Sequence, residues 1–202
     1  MPTRWPSSSS CSSRTMTEAK LRRPVLQIDI AGLTVADLPA YKALRDRMLA
    51  AHPQAFTSDA ITESLRPASA YSSRLGFERP EGGHFTLGAW RDRRLVGAIS
   101  CERDARLKVR HIGHLVGMMV RDELQGQGIG HALLEACIAR ARGAEGLEQL
   151  TLSVTSSNAA AVRLYRAAGF ERYGTLHHAI KLGGQYHDKD QMVLMLRAPR
   201  MP

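Results

Sequence analysis

Three glycines within six residues constrain this chain most. Residues 125–130 read Gln-Gly-Gln-Gly-Ile-Gly, between an apolar run that ends at Val120 and an amphipathic segment that begins at about Gly128. Glycines at a strand-to-helix turn let the backbone pass close to a ligand. The first turn of the following helix has unpaired N–H groups and the positive end of the helix dipole, which suit a pyrophosphate. The segment therefore predicts either an anion-binding loop or a glycine-rich turn without a ligand.

Two common nucleotide-binding motifs do not fit this loop. A dinucleotide-binding fingerprint requires Gly-x-Gly-x-x-Gly. Counted from Gly126, the third glycine position is occupied by His131, and Gly130 comes one residue early. A P-loop requires Gly-Lys followed by Ser or Thr, which this segment lacks. Both classes of nucleotide-binding protein are therefore disfavoured.

The hydrophobic pattern around the loop predicts a mixed α/β chain. Strands are expected at 25–31, 84–90, 94–101, 112–120, 147–154, 170–180 and 191–196, and helices at 38–51, 60–65, 128–142 and 158–168. The strand–helix–strand unit over 112–154 implies a right-handed crossover and some parallel pairing. Because the run 112–120 is mostly apolar, we expect it to be buried on both faces.

The charge of the chain suits an anionic partner without identifying it. The net charge is +9, and residues 1–23 contribute five basic side chains against one acid. The modestly basic remainder suits a phosphorylated cofactor or a nucleic acid. Because the chain contains no nucleic-acid-binding motif and only 5% aromatic residues, we expect no nucleic-acid partner.

The cysteines and the termini indicate location and organisation. Cys11, Cys101 and Cys137 are scattered, which argues against a disulfide framework or a zinc site and favours a cytoplasmic protein. No apolar run approaches the ~20 residues that span a bilayer, so no membrane association is expected. Residues 1–23 are rich in serine and predict a disordered tail before a single domain over 24–202. Met16 is an alternative start to Met1.

The central segment resembles the main motif of the GNAT superfamily of N-acetyltransferases. The family signature Gln/Arg-x-x-Gly-x-Gly/Ala is met by Gln125, Gly128 and Gly130. A second hallmark, an Asn followed by Leu-Tyr and then by Gly-Phe, is matched by the segment Asn158–Phe170. Both motifs occur in the family's order and spacing.

This resemblance implies a fold and a cosubstrate. The GNAT fold is α/β (α+β), with a mixed central sheet of six to seven strands and about four helices. Its central parallel strands, here 112–120 and 147–154, are splayed and hold acetyl-coenzyme A in the gap. The resemblance implies no metal. The cofactor-binding residues that it implies are Met118, Met119, Val120, Gln125, Gly126, Gln127, Gly128, Ile129, Gly130, His131 and Asn158.

The resemblance also implies the chemistry, with Tyr165 as the general acid for the departing thiolate. A phenol with an ordinary pKa of ~10 keeps its proton at neutral pH. The base stays open between Glu102, His111, His114 and water. Relatives that acetylate a ribosomal protein's N-terminus carry a Glu where this chain has Ser153, which disfavours that substrate class.

The acceptor is expected to be a primary amine of a small molecule or of a protein N-terminus. Many family members are dimers, so a homodimer is also open. The alternative function is a coenzyme A-binding or sensor module of the same fold that does not transfer acetyl. The presence of Tyr165 at the acid position favours the enzyme.

Overall fold

A seven-stranded mixed sheet forms the centre of the computed structural model, which describes residues 27–77 and 82–197. The strands are β1 (Asp29–Gly32), β2 (Phe85–Arg91), β3 (Arg94–Arg103), β4 (Ile112–Val120), β5 (Gln149–Thr155), β6 (Glu171–Leu182) and β7 (Gln185–Met195). Their order across the sheet is β1-β2-β3-β4-β5-β7-β6. Adjacent strands are antiparallel except for β4 and β5, which are parallel. The predicted mixed sheet is therefore confirmed.

Helices pack on both faces of this sheet. The described residues contain four α-helices, which are α1 (Leu38–Ala51), α2 (Ala60–Ser64), α3 (Ile129–Arg142) and α4 (Ala159–Ala167). Short 3-10 helices at Pro53–Ala55 and Ala68–Leu75 lie on either side of α2. α3 begins at Ile129 within the glycine-rich segment, one residue after the predicted start, and connects β4 to β5.

Two apolar clusters hold the helices to the sheet. Leu133, Leu134 and Cys137 of α3 are fully buried against one face of the sheet. On the other face, Tyr41 and Leu44 of α1 are buried against β3, β4 and the 3-10 helix that precedes β2. Because burying one large apolar side chain contributes about 1.5–3 kcal/mol, these clusters position both helices firmly.

Some predicted boundaries differ from the structure. The turn between β2 and β3 has two residues rather than three, because Asp92 and Arg93 both take the positive φ angles that a tight hairpin turn requires. The last strand begins at Gln185, six residues before the prediction. The predicted tail over residues 1–23 lies outside the described residues.

Candidate active site

The two parallel strands at the centre of the sheet separate halfway along their length. Pairing between β4 and β5 runs from Ile112 opposite Gln149 to Leu115 opposite Leu152, and it stops there. The next residues of β4 form a bulge against β3, where Gly117 has a φ angle of 62°. A bulge bends and twists a strand, so it directs the end of β4 away from β5. The splayed strands that the sequence predicted are therefore present.

This separation also overturns one expectation about β4. The strand was predicted to be buried on both faces, but His114 is exposed and Val116, Gly117 and Met118 are only half-buried. The reason is that β5 does not pair with β4 beyond Leu115, which leaves one edge of β4 open. Apolar residues in this stretch line a cleft instead of a closed core.

The glycine-rich segment forms an open loop at one end of the cleft. Gly126 and Gly128 have φ angles of 74° and 85°, and no other residue lies within 4 Å of a β-carbon placed on either. Gly128 precedes α3 directly, where no side chain caps the helix. Within the described residues, the N–H groups from Gly126 to His131 donate to no protein acceptor. Free amides and a helix N-terminus together form an anion-binding site.

Two glutamine side chains of this loop hydrogen-bond to the turn that precedes it. The Gln125 side-chain amide donates to Asp122 Oδ1 at 2.8 Å, and the Gln127 amide donates to the Glu123 carbonyl at 3.2 Å. Ile129 is 2% exposed and packs into the core. The surface left to a ligand is therefore mainly backbone.

Two ion pairs connect the loop to the end of α1. His52 Nε2 lies 2.6 Å from Asp122 Oδ1, and Arg47 Nη2 lies 2.9 Å from Glu123 Oε2. Both acids belong to the short turn that leads from β4 into the loop. The end of α1 thus helps to hold the loop in place.

Five of the residues predicted to bind the cofactor border one cavity beside the loop. Met118, Met119, Val120, Gln125 and Asn158 border a space of about 350 Å³. Of these side chains, that of Met119 turns away into the core under α1. The other four come from β4, the loop and the start of α4, so the fold brings both family motifs together.

Asn158 and Tyr165 belong to the same helix and border the next cavity of the cleft. Asn158 is the N-cap of α4, and its Oδ1 accepts a hydrogen bond from the Ala161 N–H at 3.1 Å. Tyr165 lies about two turns further along. Both residues line a cavity of about 310 Å³ together with Met118, which also borders the cavity beside the loop. The two cavities are therefore contiguous.

The Tyr165 side chain is buried, but its hydroxyl remains free. The side chain is 7% exposed and packs edge-on against Phe170 at a ring distance of 5.9 Å. Within the described residues the hydroxyl has no hydrogen-bond partner, and it is not sealed from solvent. Burial and the nearby Cys137 raise the pKa of Tyr165 to about 12. The phenol therefore stays protonated at neutral pH.

A third and larger cavity of about 780 Å³ opens on the face of the sheet that α1 only partly covers. It shares Leu115, Val116 and Ser153 with the cavity at Tyr165. The cleft thus continues between β4 and β5 from the glycine loop to this open face.

Two of the three candidate bases border this open cavity. Glu102 pairs with Arg74 at 3.4 Å, and His114 Nδ1 lies 2.7 Å from the Thr151 hydroxyl. His111 precedes β4, about six residues or roughly 20 Å from the bulge at Gly117. It does not border the open cavity.

The sequence interpretation missed one residue of the cleft. Lys189 on β7 borders the cavity at Tyr165 and is 8% exposed. The predicted last strand began at Gln191 and excluded it. Residues 187–191 are all polar or charged, so no apolar alternation in the sequence marked this part of the strand.

The described residues contain no group of three or more His, Cys, Asp or Glu side chains placed to hold a metal ion. None of their helices combines the length and the apolar character that crossing a membrane requires.

Curated relatives match parts of this chain. A methionine sulfoximine and methionine sulfone acetyltransferase of Pseudomonas aeruginosa is 40% identical over 81 residues, 40% of this chain and 46% of that protein. An N-alpha-acetyltransferase of Sulfurisphaera tokodaii is 35% identical over 66 residues, 33% of this chain and 40% of that protein. A mycothiol acetyltransferase of Geodermatophilus obscurus is 30% identical over 138 residues, 68% of this chain and 42% of that protein. The chain spans less than half the length of these relatives.

Solved structures share the fold over their whole length. A GNAT-family acetyltransferase from Streptococcus pneumoniae superposes with a TM-score of 0.74 at 25% identity, over 84% of this chain and 99% of that one. The yncA protein of Salmonella typhimurium, solved with its cofactor acetyl-CoA, has a TM-score of 0.71 at 22% identity, over 87% and 98%. A family model described as the acetyltransferase (GNAT) family matches residues 42–170. This chain therefore belongs to the GNAT family of acetyltransferases.

Proposed function

We propose that this protein transfers the acetyl group of acetyl-coenzyme A to a primary amine of a small molecule or of a protein N-terminus. The observation that carries the proposal is the continuous cleft. It runs from the free amides at Gly126–His131, between the splayed ends of β4 and β5, to the unpartnered hydroxyl of Tyr165.

The residues of the cleft fit the shape and charge of acetyl-coenzyme A. The diphosphate suits the glycine loop, because its amides and the α3 dipole stabilise negative charge. The pantetheine arm carries amides of its own, and β4 beyond Leu115 has no β5 partner for its backbone on that side. Met118 and Leu164 offer apolar walls, and the free side-chain nitrogen of Asn158 offers a donor.

Tyr165 stabilises the sulfur atom of the thiolate that leaves the thioester. The amine nitrogen attacks the thioester carbonyl, the C–S bond breaks, and negative charge develops on sulfur. A thiol has an ordinary pKa of ~8.5, so full proton transfer from a phenol whose pKa is about 12 costs roughly 5 kcal/mol. Tyr165 therefore stabilises the sulfur by donating a hydrogen bond as the charge builds, and the proton released by the amine completes the thiol.

The acceptor enters from the open face of the sheet. His114 and Glu102 border that cavity, and they take the proton of the amine, directly or through water, and pass it on towards the thiolate. The relatives are named for different acceptors, one for methionine sulfoximine and methionine sulfone and another for N-alpha-acetylation. A primary amine is the feature that these acceptors share.

The test is an assay of thiol release with acetyl-coenzyme A and a panel of primary amines, with products identified by mass. The proposal expects acetylated amine and free thiol in equal amounts. Binding of acetyl-coenzyme A without thiol release for any amine would instead support the non-catalytic coenzyme A-binding module. No binding at all would contradict both functions.

A further inference from the structure

Lys189 is a buried cation without a partner in the cleft. Its side chain is 8% exposed and borders the cavity that also contains Tyr165 and Met118. Within residues 27–77 and 82–197 the Lys189 side chain makes no hydrogen bond and no ion pair. Its side chain therefore borders the same part of the cleft as Tyr165, beside which the thioester is proposed to lie.

The strand register explains why no neighbouring acid neutralises Lys189. Lys189 lies opposite Thr155 of β5, on the face that lines the cleft. Its sequence neighbour Asp190 accepts hydrogen bonds from Ser156 and Thr175, both at 2.9 Å. Asp188 is engaged by His177 at 2.8 Å. Both flanking carboxylates are thus occupied elsewhere.

Keeping an uncompensated ammonium group in this position costs stability. Burial lowers the pKa of Lys189, and no nearby acid opposes that effect. Buried charges are normally paired, and an unpaired one destabilises a fold. The cost is offset when an anionic group binds beside the lysine.

We propose that Lys189 binds the carboxylate of the acceptor, so that the acceptors of this enzyme are amines that carry a carboxylate, of the amino-acid type. This inference rests on the proposed acetyltransferase function. A second effect supports it, because a cation close to the reacting amine disfavours the ammonium form and favours the neutral nucleophile. The same cation repels polyamines and aminoglycoside-like acceptors, which carry several positive charges.

The experiment compares matched acceptors that differ only in the carboxylate, such as L-phenylalanine with 2-phenylethylamine and L-lysine with 1,5-diaminopentane. Thiol release and product mass are measured for the wild type and for Lys189→Met, Lys189→Arg and Lys181→Met. Lys181 is an exposed lysine on β6 and serves as the matched control. Urea unfolding checks folding, and Lys189→Met is expected to be at least as stable as the wild type.

The wild type is expected to favour the carboxylate-bearing member of a pair at least tenfold in kcat/KM. Lys189→Met should lose this preference through a raised KM for that member. Lys189→Arg should retain part of it, and Lys181→Met should retain all of it. An equal loss with both members of each pair would overturn the proposal, because the lysine would then act on the thioester.

Two further outcomes would also overturn the proposal. One is equal use of both members of every pair by the wild type. The other is acetylation of Lys189 itself in peptide mass spectra after incubation with acetyl-coenzyme A, because an acetylated lysine has no charge. If no amine is acetylated, the proposed acetyltransferase function fails, but the role of Lys189 can still be tested. Calorimetry then compares the binding of the two members of each pair to the coenzyme A-bound protein. Equal binding would then overturn it.

Discussion

Gly130 packs directly against Met118. A β-carbon placed on Gly130 would lie 3.3 Å from the Met118 Cε methyl group and 3.5 Å from Leu164 Cδ2. The first turn of α3 thus approaches both the bulged end of β4 and the helix that carries Tyr165. This close approach keeps the anion-binding loop and the phenol of Tyr165 within one cleft.

The stability and ligand binding of the glycine loop should depend on the backbone conformation of its glycines rather than on the space around them. We expect Gly128→Ala to destabilise the fold by about 1–2 kcal/mol, because an L-residue is strained at its φ angle of 85° although the surroundings are open. The altered loop should weaken acetyl-coenzyme A binding at least tenfold. Urea unfolding and calorimetry measure the two effects.

Gly143→Ala is the matched control for this variant. Gly143 ends α3 in a right-handed conformation, and its added β-carbon would make an ordinary 3.5 Å contact. We expect a stability change within about 0.5 kcal/mol and unchanged cofactor binding. Equal loss of binding in both variants would contradict a specific role for the loop.

Removing the Tyr165 hydroxyl should affect turnover and little else. We expect Tyr165→Phe to lower kcat roughly 100-fold while the Kd for acetyl-coenzyme A stays within about twofold. Stability should hardly change, because the hydroxyl has no hydrogen-bond partner among residues 27–77 and 82–197. Tyr186→Phe, which changes an exposed hydroxyl, is the control. Unchanged turnover in Tyr165→Phe would show that the hydroxyl does not stabilise the leaving sulfur.

The pKa of Tyr165 also predicts the alkaline side of the pH profile. Because its pKa is raised to about 12, the phenol keeps its proton well above neutral pH. Activity should therefore show no loss from this group between about pH 8 and 10. A loss of activity with rising pH in that window, absent from Tyr165→Phe, would contradict this prediction.

Two variants separate the roles of Asn158. We expect Asn158→Ala to cost about 1 kcal/mol because it removes the cap of α4. Asn158→Ser keeps a good capping group but loses the longer amide donor. If Asn158 also binds the pantetheine arm, both variants should weaken acetyl-coenzyme A binding although only the first is less stable. Normal binding by the serine variant would limit Asn158 to capping.

A buried acid should make the fold sensitive to low pH. Burial alone would raise the pKa of Glu63, but hydrogen bonds from Tyr71 and Arg45, the charge of Arg45 and a bond from Arg66 together lower it to about 2. A lowered carboxyl pKa stabilises the fold above the unfolded value of about 4.5 and loses that effect as pH falls towards 2. The stabilisation is roughly 3 kcal/mol.

The corresponding measurement is urea unfolding between about pH 7 and pH 2. The wild type should lose stability across the lower half of this range. Glu63→Gln should be less stable at neutral pH and show a flatter dependence. The matched variant Glu135→Gln, on an exposed position of α3, should retain the wild-type dependence. A steep dependence in Glu63→Gln would assign the effect to other acids.

Much of this architecture could be predicted because local signals and packing agree. α1 and β4 have the predicted limits of 38–51 and 112–120. In α1 the apolar spacing matches the buried face, and in β4 the run is mostly apolar. The glycine loop was predictable because its conformations require glycine at two positions, Gly126 and Gly128.

The first half of β7 was missed for a physical reason. Residues His187 to Gln191 are polar or charged, and such residues are disfavoured in strands. Here tertiary contacts override that preference, since Ser156 and Thr175 donate to Asp190 and the cleft accommodates Lys189. Because these partners come from β6 and from the residues that follow β5, periodicity within the segment alone could not reveal them.

A crystal structure with coenzyme A would show whether the glycine loop and Tyr165 hold the two ends of one ligand. We predict the diphosphate within hydrogen-bonding distance of the amides of residues 126–131, and the sulfur within about 4 Å of the Tyr165 hydroxyl. Coenzyme A bound away from the glycine loop, or a sulfur that lies on the far side of β4 from Tyr165, would contradict it.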